Sequence, residues 1–261
     1  MTLSAPDLSD ADAYAALLWQ LEMGADEAIL EEPVNRYAQA GQTPPQPGAT
    51  PAEAAPAGAP VDETPSTLHI AAAAQDLDTL RATIAEFDGC ALKKGARNLV
   101  FADGLPGAHV MIVGEAPGRD EDIEGRPFVG RSGQLLDRMF AAIGLSRTAE
   151  SPEEALYIIN TIPWRPPQNR EPSTAELAMM IPFLHRHVEL AAPKVIVAMG
   201  NPANRALTQT TTGITRLRGQ WQDWNGIPLL PMFHPAALLR DPMKKRAAWA
   251  DLLALQARLA E

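Results

Sequence analysis

Four short apolar runs set the fold class of this chain: HVMIV at 109–113, LYIINTI at 156–162, KVIVAM at 194–199 and IPLLPMF at 227–233. Each is nearly continuous rather than alternating, which is how a strand reads when both faces of its sheet are covered. Three of them begin soon after a helical pattern, at intervals of roughly 30 to 50 residues. That rhythm belongs to β–α units with a parallel sheet. Ser132 to Ile143 places Leu135, Leu136, Met139, Phe140 and Ile143 at helical spacing. Ser173 and Glu176 have capping-box spacing and open a helix through Leu177, Ile181, Leu184 and Val188, with Pro182 a candidate kink. Residues 67–87 and 244–259 carry the same periodicity through Leu77, Leu80 and Ile84, and through Trp249, Leu252 and Leu259. The expectation is an α/β fold, a three-layer α/β/α sandwich with a central four-stranded parallel sheet, occupying residues 66–261.

The preceding residues differ in kind. Residues 1–37 read as an acidic helical segment, with Tyr14, Leu17, Leu18 and Leu21 on one face of a helix over 8–32. Residues 38–65 form a Pro/Ala-rich linker, too poor in large apolar side chains to offset the entropy of ordering it. Charge follows this division. The net charge of −10 falls wholly within residues 1–65, which hold eleven acidic residues and one base, Arg36; residues 66–261 balance 21 against 21. A neutral body can carry a local basic face, so the global sign does not exclude nucleic acid. A single cysteine, Cys90, excludes an internal disulfide and any four-cysteine metal site within the chain. There is no leader-like start and no apolar stretch near 18 residues, so a cytoplasmic protein without membrane association is expected; a monomer is the expected state.

In an open parallel sheet the ligand crevice lies beyond the carboxyl ends of the strands. Unusual sequence follows each run there. GEAPGRDED at 114–122 leads to GRPFVGRSG at 125–133; Asn160 leads to WRPPQNR at 164–170; Gly200-Asn201-Pro202 follows the third run, and His234-Pro235 the fourth. Neither G-x-G-x-x-G nor G-K-[ST] is present, so dinucleotide binding and P-loop nucleotide hydrolysis have no support. In order, these segments resemble the uracil-DNA glycosylase superfamily, most of all its type-4 branch. The resemblance covers about residues 87–259.

That resemblance implies a monofunctional glycosylase that hydrolyses the N-glycosidic bond of uracil in DNA. Phe128 stands where the family stacks a ring on the extruded base, and such stacking accepts any base. Asn160 matches the residue that reads the pyrimidine edge; its amide suits N3–H and O4 of uracil and opposes the pattern of cytosine. His234 matches the histidine that stabilises negative charge developing on uracil O2. Gly114, Ala116 and Gly118 would line the base pocket with Glu115. The best-known branch has an aspartate where Ala116 stands, which leaves Glu115 and Glu121 as candidate water-directing carboxylates. The acidic run around Glu121 equally suits a solvated loop.

DNA contacts are expected from Arg119, Arg126, Arg131, Arg165, Arg170, Arg240 and Lys244. Leu238 and Leu239 match the segment that wedges into the duplex as the nucleotide flips. The partner implied is uracil-containing DNA, single- or double-stranded. The branch normally binds a four-iron four-sulfur cluster through four cysteines. The matching positions here are Cys90, Lys93, Trp164 and, to within one residue, Met180, so no cluster and no metal is expected. The RPPQNR loop has no histidine, which disfavours covalent capture of DNA. Two alternatives stay open: a DNA-binding module with a degenerate pocket, and a glycosylase shifted toward hypoxanthine or xanthine.

Overall fold

The computed structural model describes residues 64–260. The acidic segment and nearly all of the linker inferred from the sequence lie outside these residues. The described part holds one six-stranded sheet with helices on both faces.

The four apolar runs form parallel strands β2 (Val110–Gly114), β3 (Leu156–Asn160), β4 (Val195–Met199) and β6 (Ile227–Met232). Two short strands extend the sheet beyond the expected four. β1 (Asp103–Gly104) pairs antiparallel with β3, and β5 (Gln222–Trp224) pairs antiparallel with β6, giving the order β1-β3-β2-β4-β6-β5. Two and three residues carry no readable periodicity, so only the fold exposes them as strands. The chain leaves β2 toward β3 on one side and later resumes at β4 on the other. The carboxyl ends of β2 and β4 therefore flank the switch point where open sheets bind ligands.

The side-chain alternation of the strands divides the core. Met111, Val113, Tyr157, Ile159, Ile196 and Ala198 face α5 (Thr174–Ala191) and α6 (Gly200–Thr208), meeting Leu184, Val188, Ala203 and Leu207. Val110, Ile112, Leu156, Ile158, Val197 and Leu230 face the opposite layer and meet Leu136 and Phe140 of α4 (Arg131–Ala141) and Leu252 and Leu255 of α9 (Lys245–Leu259). Ser173 caps α5 as its spacing with Glu176 predicts, its hydroxyl accepting from the Glu176 amide, and the helix runs on through Pro182. The single upstream helix expected over 67–87 is instead two, α1 (Thr64–Ala73) and α2 (Leu77–Glu86). The break is local chemistry: the Asp76 carboxylate accepts from the Thr79 amide at 2.7 Å and starts a new helix there.

The acidic run is not a solvated loop. It folds as α3 (Arg119–Glu124), with three of its four acids in the first turn where the helix dipole favours negative charge, and Glu121 and Asp122 are buried. The Asp122 carboxylate accepts from the amides of Arg97 and Asn98, tying α3 to the segment before β1.

Candidate active site

Three strand ends build the site. The Gly114 carbonyl accepts from both the amide and the hydroxyl of Thr161, each at 2.9 Å, and the Glu115 carbonyl accepts from the Ile162 amide. These bonds carry the β2–β3 pairing past the strands and fix Glu115 beside Asn160. Gly114 matters for what it lacks. A Cβ there would lie 2.4 Å from Asn160 Oδ1 and 2.6 Å from Phe128 Cε2, so only glycine lets the amide and the ring close over the strand end.

From β6 the chain passes through Phe233 to His234, which caps α8 (Pro235–Arg240). The His234 Nδ1 accepts from the Ala236 amide at 3.1 Å. That bond leaves the other ring nitrogen, Nε2, to carry the proton. Burial, aided by the positive charge of Arg240, lowers the His234 pKa to about 4, so the ring is neutral at physiological pH. It stacks on Phe128 with centroids 5.3 Å apart and planes inclined by 28°.

Glu115, Ala116, Gly118, Glu121, Phe128, Asn160, Arg170 and His234 line one cavity of about 230 Å³, with room for a single heterocyclic base. The sequence-derived candidates for the base pocket thus converge, with Gly114 packed behind them. Pro166 and Asn169 also line it; both lie in the WRPPQNR segment, where the motif was visible but these two roles were not. Asn160 is buried yet lines the cavity, and its side-chain amide has no hydrogen-bond partner among the described residues, which leaves it free to address a ligand. Glu115 is half-buried, and its carboxyl pKa is raised by burial and by the nearby charge of Glu171, against the pull of Arg240.

Glu121 differs. One carboxylate oxygen accepts from the amides of Val129 and Gly130, both at 3.0 Å, and the other accepts from Gly118 at 3.1 Å. Three backbone amides thus hold its two oxygens, so Glu121 braces the PFVG segment at the edge of the cavity, unlike the carboxyl of Glu115, which is unbonded among the described residues.

The expected DNA contacts separate in the same way. Arg119, Arg131 and Arg240 are exposed and make no ion pair among the described residues. Arg126 is bonded to Glu124 at 2.8 Å and lies 3.7 Å from Asp103. Arg170 is held bidentately by Glu176, so phosphate would have to compete for both. Arg165 donates to Asn169, and Lys244 lies 3.2 Å from Asp241 with its ammonium over the Phe233 ring. Leu238 is 1% exposed and packs with Phe233 and Ala248, so it cannot project as a wedge where it stands; Leu239 does face outward.

The positions matching cluster cysteines do not fit a four-iron cluster. Cys90, Trp164 and Met180 lie in one buried apolar cluster with Leu92, Ile162, Leu177 and Phe183. The space is filled by side chains that are not iron ligands, and Lys93 directs its ammonium to Asp88. Burial raises the pKa of the remaining thiol, against the thiolate a metal needs. Among the described residues no group of three or more His, Cys, Asp or Glu gathers to hold a metal ion.

Comparison with known proteins agrees with this geometry. The model of the uracil DNA glycosylase superfamily matches residues 101–253. A type-4 uracil-DNA glycosylase of Archaeoglobus fulgidus is 36% identical over 185 residues, covering 68% of this chain and 90% of its own. One of Sulfurisphaera tokodaii is 35% identical over 184 residues, covering 67% and 81%. One of Thermotoga maritima is 39% identical over 154 residues, covering 58% and 77%. With these strand-end segments gathered around one cavity, and one cysteine where a cluster would take four, the chain belongs to the uracil DNA glycosylase superfamily, where it is similar to the type-4 enzymes but lacks the ligands of their cluster.

Proposed function

We propose that this domain excises uracil from DNA as a monofunctional glycosylase, leaving an abasic site. The observation that carries the reading is the state of His234: a neutral, half-buried imidazole whose Nδ1 is occupied by a backbone amide, so that Nε2–H is its remaining donor. As the bond between C1′ and N1 breaks, its electron pair passes to the uracil ring and accumulates on O2. A preorganised donor in a dry pocket favours that developing charge over the ground state. A cationic histidine is not required, because the task is electrostatic rather than transfer of a proton.

Asn160 supports selection of the base. Its amide offers an acceptor for N3–H and a donor for O4, and cytosine presents the reverse pair, leaving buried polar groups mismatched. Phe128 supplies a stacking face. Glu115 is the free carboxylate of the cavity. Ionised, it can stabilise positive charge on the sugar and accept the proton of the water that adds to C1′. Of the expected DNA contacts, Arg119, Arg131 and Arg240 make no ion pair among the described residues and can meet phosphate.

The test is single-turnover excision from a uracil-containing oligonucleotide with saturating enzyme. Uracil release with strand breakage only after alkali is expected. H234A should lose roughly 10²- to 10³-fold in rate, with much less change in binding to a non-cleavable uracil analogue. A folded protein that binds the oligonucleotide but releases no uracil overturns the reading.

A further inference from the structure

Phe128 has a backbone that its side chain does not favour. Its φ is +53°, in the left-handed region where a bulky residue is strained. Such a conformation persists only where its surroundings impose it. Two charged side chains do so, from opposite sides of the peptide chain. On the amide side stands Glu121, bonded to the N–H groups of Val129 and Gly130.

On the carbonyl side stands Arg147, in the loop after α4 and outside the base cavity. One terminal nitrogen donates to the Pro127 carbonyl at 3.0 Å and to Asp103 Oδ2 at 2.8 Å. The other donates to the Phe128 carbonyl at 2.9 Å. The Nε donates to Asp137 Oδ1 at 2.8 Å, so the guanidinium plane is fixed by β1 on one side and α4 on the other. The side chain is 10% exposed. Gly133 completes the fit: a Cβ there would fall 1.8 Å from the Phe128 carbonyl oxygen, so that carbonyl sits against the first turn of α4.

We propose that Arg147 is a positioning residue for excision: by holding the carbonyls of Pro127 and Phe128 it fixes the strained turn that presents the Phe128 ring beside Asn160 and His234. Its effect on rate rests on the reading that Phe128 receives the base. A lysine cannot replace it, because one ammonium cannot reach two carbonyls and two carboxylates in a fixed plane.

The experiment is a double-mutant cycle read two ways, with parent, Arg147→Lys, Phe128→Ala and the double variant. R147K keeps the positive charge among Asp103 and Asp137 and so guards against misfolding, which circular dichroism checks. In single-turnover excision R147K should be about tenfold slower than the parent, but within about twofold of F128A when made in the F128A background. Hydrogen exchange supplies a readout that needs no activity: the amides of Val129 and Gly130 should exchange roughly tenfold faster in R147K. A loss in R147K that is undiminished in the F128A background assigns Arg147 a general structural role and overturns the proposal. Unchanged exchange overturns it as well. If the parent releases no uracil, the functional reading fails, and the exchange result alone decides whether Arg147 clamps the turn.

Discussion

Replacing Gly114 by alanine is the sharpest perturbation the site offers, because one added carbon meets both Asn160 and Phe128. The new Cβ would stand 2.4 Å from Asn160 Oδ1 and 2.6 and 2.7 Å from Phe128 Cε2 and Cζ, where ordinary contact begins at 3.4 Å. Restoring contact requires the amide to retreat by about 1 Å and the ring by about 0.8 Å. The neighbours to be moved are side chains, and Gly114 does not have the positive φ that would add backbone strain, so the fold should tolerate the change. A misplacement near 1 Å in a preorganised site costs on the order of 100-fold in rate, while overpacking one methyl group costs roughly 1 to 3 kcal/mol in stability. G114A is therefore expected to fold, to melt a few degrees lower and to excise uracil about 100-fold more slowly. Single-turnover excision and thermal melts on the same preparation measure both. A variant that folds and excises within about threefold of the parent would falsify the argument that closure of Asn160 and Phe128 over Gly114 forms the productive pocket.

Asn160→Asp presents a carboxylate where O4 of uracil needs a donor and should lower uracil excision by about two decades or more; equal rates for the two proteins remove Asn160 from base selection. Acid should destabilise the fold. Burial holds the folded-state pKa of His187 at about 3 and of His234 at about 4, against about 6.5 in the unfolded chain. The unfolded chain therefore binds protons first as pH falls. The stability associated with these neutral rings is complete above about pH 6.5 and declines from there toward pH 4, each ring contributing at most about 1.4 kcal/mol per unit. A melting temperature that stays level across that window contradicts this. Cys90→Ala should cost roughly 0.5 to 2 kcal/mol of packing and leave excision intact, with no iron measurable in either protein; a brown protein that fades in the variant refutes the filled-core reading.

Some of this was legible in the sequence because it depends on contiguous residues. The four parallel strands are continuous apolar runs, and burial on both faces leaves that mark without any partner being known. The α5 cap is written in Ser173 and Glu176. Gly114, Phe128, Asn160 and His234 stand at strand ends or in the loops between, and once the strands are parallel those ends share one edge of the sheet. The loss of the cluster needed only a count of cysteines.

Tertiary structure decided whatever depends on what a charged or apolar side chain meets. Glu121 and Glu115 are both acids just beyond β2, but only the fold gives Glu121 three backbone amides and leaves Glu115 a carboxyl without such partners among the described residues. Arg170 and Arg240 look alike as surface cations until Glu176 is found to claim one and not the other. Leu238 and Leu239 are neighbours of one chemistry, and the helical turn of α8 buries the first and exposes the second. Arg147 carried no signal at all. An arginine in a loop reads as surface, and its partners at Asp103, Pro127 and Phe128 are 44, 20 and 19 residues away along the chain. Periodicity and motif record what local chain geometry requires, whereas the pairing of a charge is settled only when distant segments are brought within about 3 Å.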